Sequence, residues 1–242
     1  MLRMICIVLV LAVGCSPSAK MEPEPQPEGK TVRSLKLDDA RTSDSALIDQ
    51  LKSLPELVEL TLGGTEITDI GVGHIAAIES SKLKKIRLAR TEITDDALES
   101  LAKMPTLEDI DVSQTAVGDA GLAALKSLPR LKKLNLYTTK ISDSGLVVLK
   151  DFASTSTLTW LNIDKCSLTD AAIPHLAPLA HLEWLHLGRT ELTDAGLEEL
   201  AKLTTLKEVF ITNTKVTADG VAKLQSALPN CKINQNVGEI VE

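Results

Sequence analysis

One skeleton, L-x-x-L-x-L-x-x-T-x-L-T-D-x-G-L-x-x-L, returns roughly every 24 residues along this chain and is cleanest from Leu182 to Leu200. Numbering each copy from its first Leu, position 1 is Leu57, Leu83, Leu107, Leu131, Leu158, Leu182 and Leu206. Position 4 is Leu60, Ile86, Ile110, Leu134, Leu161, Leu185 and Val209, and position 6 is equally apolar, from Leu62 to Ile211. A degenerate earlier copy runs from Val32 through Leu35 and Leu37 to Asp44 and Leu47. A unit this small cannot bury its apolar side chains alone, so successive copies must stack and share a core. Length by itself permits one or two domains; repetition makes the chain one elongated stack.

Within each copy, positions 2 to 7 alternate polar and apolar, as a half-buried strand does. Positions 4 and 6 then point inward, and positions 3, 5 and 7 outward. Position 9 is Thr65, Thr91, Thr115, Thr139, Cys166, Thr190 and Thr214. A small donor there is expected to turn inward and satisfy backbone carbonyls at the strand-to-loop bend. Positions 12 and 13 read Thr-Asp or close variants, from Thr68-Asp69 to Thr193-Asp194, ending in Thr217-Ala218. Such residues begin helices, by accepting from free N–H groups and by placing negative charge at the positive end of the dipole. Apolar residues at positions 16, 19 and 22, such as Leu122, Leu125 and Leu128, give a short helix of two to three turns.

On these motifs the chain resembles the leucine-rich repeat family, over residues 31–236 in about eight repeats. The resemblance implies an α/β fold: a right-handed horseshoe solenoid with a parallel sheet on the concave face and short helices on the convex face. It implies a non-enzymatic scaffold that binds a protein or peptide partner. Longer copies gain residues near 79–82 and 152–157, which should bulge as loops without breaking register. Leu228-Pro-Asn-Cys-Lys-Ile233 reads as a last truncated strand, before a tail at 237–242.

The formal charge of −7, with no Lys/Arg block in the repeats, argues against nucleic-acid binding, which requires a basic stripe. Cys166 and Cys231 stand 65 residues apart, about 13 Å along a stack of parallel strands, too far for a disulfide. Both read as lone structural thiols, Cys166 being a weaker donor in a threonine slot.

Residues 1–14 carry one basic residue, Arg3, and an apolar run from Met4 to Val13, the pattern of a signal peptide and too short to span a bilayer. Leu11-Ala-Val-Gly-Cys15 resembles the lipobox of bacterial lipoproteins, which implies lipidation of Cys15, export, and attachment to the cell envelope through that lipid alone. The alternative is a secreted or periplasmic soluble protein, cleaved nearby. Residues 15–30 then form a Pro/Glu-rich, solvated tether, because alternate prolines cannot enter a helix and few apolar groups are available to bury.

The outward positions are the most informative about function. Of five aromatics in the chain, four fall on them, all in the C-terminal half: Tyr137, Trp160, Trp184 and Phe210, with His186 among them. Trp160 and Trp184 occupy the same position on neighbouring strands, so their rings should touch, as should His186 and Phe210. Exposed aromatic groups mark contact sites; the competing reading is cross-strand packing. In the N-terminal half, Glu59, Lys85, Asp109 and Lys133 alternate in sign down one column, and Arg87 faces Asp111 in the next. Lys85, Arg87, Asp109 and Asp111 form a salt-bridge ladder or, alternatively, a secondary polar docking surface.

No phosphate-cradling loop, nucleophile elbow or metal-ligand spacing occurs, so neither cofactor nor metal nor catalytic residue is expected. His74, His175 and His181 fall in helix or loop positions without ligand-spaced partners. The residues expected to bind are Tyr137, Trp160, Trp184, His186 and Phe210. A structural or self-associating envelope protein is the alternative.

Overall fold

The computed structural model describes residues 32–37, 41–52, 54, 56–78, 82–152 and 157–235. The signal peptide, Cys15, the tether, Ala40 and the centres of both longer loops (79–81 and 153–156) lie outside the described residues.

Among the described residues, nine three-residue strands form one parallel sheet in sequence order: β1 (Ser34–Lys36), β2 (Glu59–Thr61), β3 (Lys85–Arg87), β4 (Asp109–Asp111), β5 (Lys133–Asn135), β6 (Trp160–Asn162), β7 (Trp184–His186), β8 (Glu208–Phe210) and β9 (Lys232–Asn234). Every strand pairs at equivalent repeat positions, so position 4 stacks on position 4 from Leu60 to Val209. Register survives both longer repeats, with Glu59 opposite Lys85 and Lys133 opposite Trp160. The expected last strand forms as β9 against β8.

The opposite side carries α1 (Asp44–Leu51), α2 (Asp69–Ala76), α3 (Asp95–Leu101), α4 (Asp119–Ala124), α5 (Asp143–Leu146), α6 (Asp194–Leu200) and α7 (Ala218–Ala227). Between α5 and α6, Asp170–Leu176 is a 3₁₀ helix containing Pro174, and tighter 3₁₀ turns follow α4 and α5. Pro174 has no N–H for an α-helical bond, which accounts for the departure from the expected α-helix there. Positions 4, 6, 11, 16 and 19 of successive repeats meet in one continuous core of Leu, Ile and Val, and Phe152 is the one aromatic inside it.

The position 9 expectation holds. Thr65, Thr91, Thr115, Thr139, Thr190 and Thr214 each donate through Oγ1 to the position 6 carbonyl of their own strand, at 2.6–2.8 Å. Cys166 is buried and unpaired, but its thiol reaches the Leu136 carbonyl of the preceding repeat, 3.2 Å away. Sulfur's longer bonds carry it past its own bend.

The Asp of position 13 needs a correction. The threonines do cap, with Thr68, Thr169, Thr193 and Thr217 accepting from helix N–H groups. Each Asp sits in its own helix's first turn but spends its oxygens on the next repeat. Asp44 accepts from the N–H and Oγ1 of Thr68, at 3.0 and 2.6 Å. Asp69 does the same with Thr94, Asp119 with Ser142, Asp143 with Thr169, Asp170 with Thr193 and Asp194 with Thr217. Asp95 meets Gly118, which offers its N–H alone. Position 15 explains itself through this ladder: a Cβ on Gly145 would collide with the Asp119 carboxylate, and one on Gly220 with Asp194.

Candidate binding site on the sheet face

Strands β5 to β8 bring their outward side chains together on the face away from the helices. Trp160 and Trp184 stack nearly parallel, 4.2 Å between centroids. Phe210 leans on Trp184 at 5.1 Å and on His186 at 5.0 Å, and His186 meets Trp184 edge-on at 5.9 Å. All four side chains are half-buried, neither in the core nor fully in water. The row follows from register: identical positions on parallel strands lie about 4.8 Å apart, close to a ring-stacking distance.

Tyr137 is not part of this row. It lies at the other end of the strands, under the Arg189 guanidinium, 5.1 Å from charge to ring centre. Arg189 is held there by Asp164, which accepts from Nε at 3.0 Å and from Nη2. Asp164 is 2% exposed and Arg189 44%, so a buried carboxylate fixes a guanidinium whose outer edge faces solvent. This pairing also drives the Arg189 pKa up.

His186 joins the two halves. Its Nε2 is buried without a hydrogen-bond partner and stands 3.7 Å from Asp164. Burial lowers its pKa below the ordinary 6.5, outweighing the upward pull of Asp164 with some help from Arg189. The imidazole is therefore neutral at pH 7. Beside it, Gly188 leaves a notch: a Cβ there would come within 2.6 Å of Thr212 Oγ1, 2.9 Å of His186 Nε2 and 3.1 Å of Asp164 Oδ1.

Position 5 has a second use. Asp111, Asn135 and Asn162 each accept through Oδ1 from the N–H two residues on, at 3.0–3.2 Å. The side-chain oxygens of Asn135 and Asn162 are thereby taken up by their own strands.

In the N-terminal half the position 3 ladder is looser than its alternation suggested. Lys85 is 3.9 Å from Glu59, and Arg87 is 3.8 Å from Asp109 and 3.9 Å from Asp111. The tight ladder runs one position earlier, where Glu108 is clamped by Lys84 at 2.9 Å and Lys132 at 2.8 Å. Those two ammonium groups hold its pKa down to about 2. Asp109 goes the other way: burial raises its pKa in spite of Arg87, Lys133 and Lys85 nearby.

A family model described as Leucine Rich repeat matches residues 79–102, 103–126 and 179–201. Among solved structures, the chain is similar to an internalin (inlF) from Listeria monocytogenes, with 21% identity and a TM-score of 0.61, covering 86% of this chain and 61% of that one. In fold the chain is a leucine-rich repeat solenoid. It is similar also to an internalin C2 (inlC2) of the same species, with 22% identity and a TM-score of 0.54, covering 75% of this chain and 74% of the other. It thus spans about three fifths of the length of the first internalin. No curated protein matches it.

On the leucine-rich repeat frame, Asp164 and Arg189 are the residues that reading outward positions missed. Asp164 sits at position 7 but folds inward onto the arginine. Arg189 sits at position 8, the turn after the strand, which a two-residue alternation does not assign to either face. An Asp at position 7 with an Arg one position on in the next repeat was the available signal.

Proposed function

We propose that this leucine-rich repeat domain is a non-enzymatic scaffold that grips a protein or peptide partner on the concave face, through Trp160, Trp184, His186 and Phe210, with Tyr137 and Arg189 at the far edge. The observation that carries this reading is the half-exposed stack of Trp160 and Trp184, in a chain whose five aromatics place one, Phe152, in the core and the other four on this single face. Large amphipathic rings held rigid by their neighbours lose little entropy on binding and dominate interface energies. The outer edge of Arg189 adds donors that a peptide's carbonyls and carboxylates satisfy. Lys85, Arg87, Asp109 and Asp111 form a secondary polar surface on the same face.

We also infer export to a bacterial envelope with lipid on Cys15. Support comes from residues 1–15; among the described residues no helix is long and apolar enough to cross a membrane. Mass spectrometry of the mature N-terminus should find a lipidated Cys15, and an unmodified N-terminus elsewhere would remove the anchor.

The function is tested by capture from envelope extract on the immobilised chain, comparing wild type with Trp184→Leu. Leu keeps apolar contact under Phe210 while removing the ring. The variant should lose at least tenfold in capture with its thermal midpoint within a few degrees of wild type. Equal capture by both proteins would show that the rings pack against each other and nothing more. Sedimentation at rising concentration tests self-association separately, since a protein that stays monomeric is not an assembly of its own copies.

A further inference from the structure

Position 8 turns the chain out of each strand, and none of its residues is acidic: Gly64, Arg90, Gln114, Thr138, Lys165, Arg189 and Asn213. Two of its cations, Lys165 and Arg189, stand one strand spacing apart, where the Lys165 N–H donates to the Gly188 carbonyl at 2.9 Å. On most of the sheet, basic side chains face carboxylates. Lys85 faces Glu59, and Arg87 faces Asp109 and Asp111, at 3.8–3.9 Å. Lys84 and Lys132 share Glu108, Lys133 is in register with Asp109, Lys207 holds Glu183 and Lys232 holds Glu208. At the exits of β6 and β7 the carboxylates are already engaged, Asp164 with Arg189 and Glu191 with Lys215. The ladder carboxylates of these repeats, Asp143 and Asp170, are taken up by Thr169 and Thr193. Lys165 is exposed and forms no ion pair among the described residues, so its charge is uncompensated at close range.

The guanidinium beside Lys165 is held in place. Asp164 engages one N–H at Nε and one at Nη2, while the Tyr137 ring lies against the guanidinium carbon. A guanidinium carries five N–H groups in a rigid fork, so the Nη1 end keeps donors for a second carboxylate. Arg189 is 44% exposed, which leaves that end open to solvent. A side chain already fixed loses little freedom on binding. Resting on the reading of this face as a binding surface, we propose that its partner is an extended protein segment with an Asp or Glu side chain on Arg189. Three or four residues away, the same segment lays a bulky apolar side chain on the stack of Trp160 and Trp184. That spacing follows from the contacts that join ring to cation. Trp184 lies 5.9 Å from His186, whose Nε2 is 3.7 Å from Asp164, which in turn holds Arg189. These steps put ring and cation roughly 10–13 Å apart, or three to four residues of extended chain at about 3.3 Å each. Lys165 draws the carboxylate in, and Arg189 sets its position.

The test is a library of short random peptides displayed on phage, and so without free C-termini. It is panned on the purified chain, on Trp184→Leu, on Lys165→Gln and on an Asp164→Asn, Arg189→Gln double variant. The double variant exchanges the ion pair for uncharged amides, so no buried charge is left unpaired. The unaltered chain should enrich Asp or Glu three or four residues from an aromatic or large aliphatic residue. The double variant should keep the apolar preference and lose the acidic one, and Lys165→Gln should at least halve the acidic enrichment. The best peptide, resynthesised with that acid as its amide, should bind the unaltered chain about tenfold more weakly. Apolar enrichment without an acid, acids at no fixed spacing, or an acidic preference that survives the double variant overturns the proposal while the binding role of the face stands. If the double variant does not fold, Lys165→Gln and the amide peptide decide in the same sense. Peptides enriched equally by Trp184→Leu, or none enriched at all, overturn the binding role of the face and this inference with it.

Discussion

Position 8 of successive repeats holds a left-handed backbone: Gly64, Arg90, Gln114, Thr138, Lys165, Arg189 and Asn213 have φ between 51° and 76°. Glycine and asparagine accept that geometry readily, whereas a β-branched residue does not. Thr138 is the worst case, and its buried Oγ1 has no partner among the described residues. Thr138→Gly should therefore raise stability by about 1 kcal/mol, read as a higher urea midpoint at constant slope. An unchanged or lower midpoint would mean that the turn carries little strain. His186 gives a pH test at the same scale. Burial lowers its folded pKa, so the unfolded chain takes up the proton first. Its contribution to stability is complete above about pH 6.5 and is lost as pH falls through that value toward the folded pKa. Asp164 and Arg189 are the charged groups facing it. The urea midpoint should drop between pH 7.5 and 5.5, and His186→Gln should flatten that slope. A slope unaltered by the substitution assigns the pH dependence to other groups.

Between elements, the Asp ladder does what no helix does for itself. Each carboxylate accepts from the N-cap residue of the following repeat, so the N-termini of neighbouring helices are tied side by side by charge-assisted hydrogen bonds. Asp119 is the best connected, accepting from the N–H and Oγ of Ser142 and from Oγ of Ser144. Asp119→Ala should cost about 2–3 kcal/mol, since Ser142 loses its acceptors in a half-buried position. Gly145 packs directly over that carboxylate. Gly145→Ala should destabilise the wild type by about 1–2 kcal/mol and be nearly neutral in the Asp119→Ala background. Urea titration of the four proteins measures the coupling, and additive effects would break the proposed link between the two positions. Ala97 and Ala172 stand where other repeats have Gly, and Asp69 and Asp143 still bond to Thr94 and Thr169 beside them.

For the molecule as a whole, stability in a stack is a sum of units and their interfaces. Removing Leu107–Arg130, one full repeat, should leave a folded solenoid with the β5 to β8 site intact. Its denaturant slope should fall by about a tenth, in proportion to the surface no longer buried. Loss of the folded far-ultraviolet signal would show that the repeats are not interchangeable. The stack was legible because its code is local: a two-residue alternation sets the strand faces, a position 9 hydroxyl closes the bend, and the period brings identical positions side by side. The contact of Trp160 with Trp184 follows from that register alone. What the code left open is where long or charged side chains go once strands are neighbours. Asp164 folds in to fix Arg189 over Tyr137, Glu108 closes the tight ion pairs that Glu59 and Asp109 do not, and each position 13 Asp serves the next repeat. These contacts span about 24 residues of chain, and competing partners lie within reach at every one. Periodicity alone determined the solenoid and the row of rings. Packing decided which polar groups meet, because distances of a few tenths of an ångström, invisible in one dimension, settle those choices.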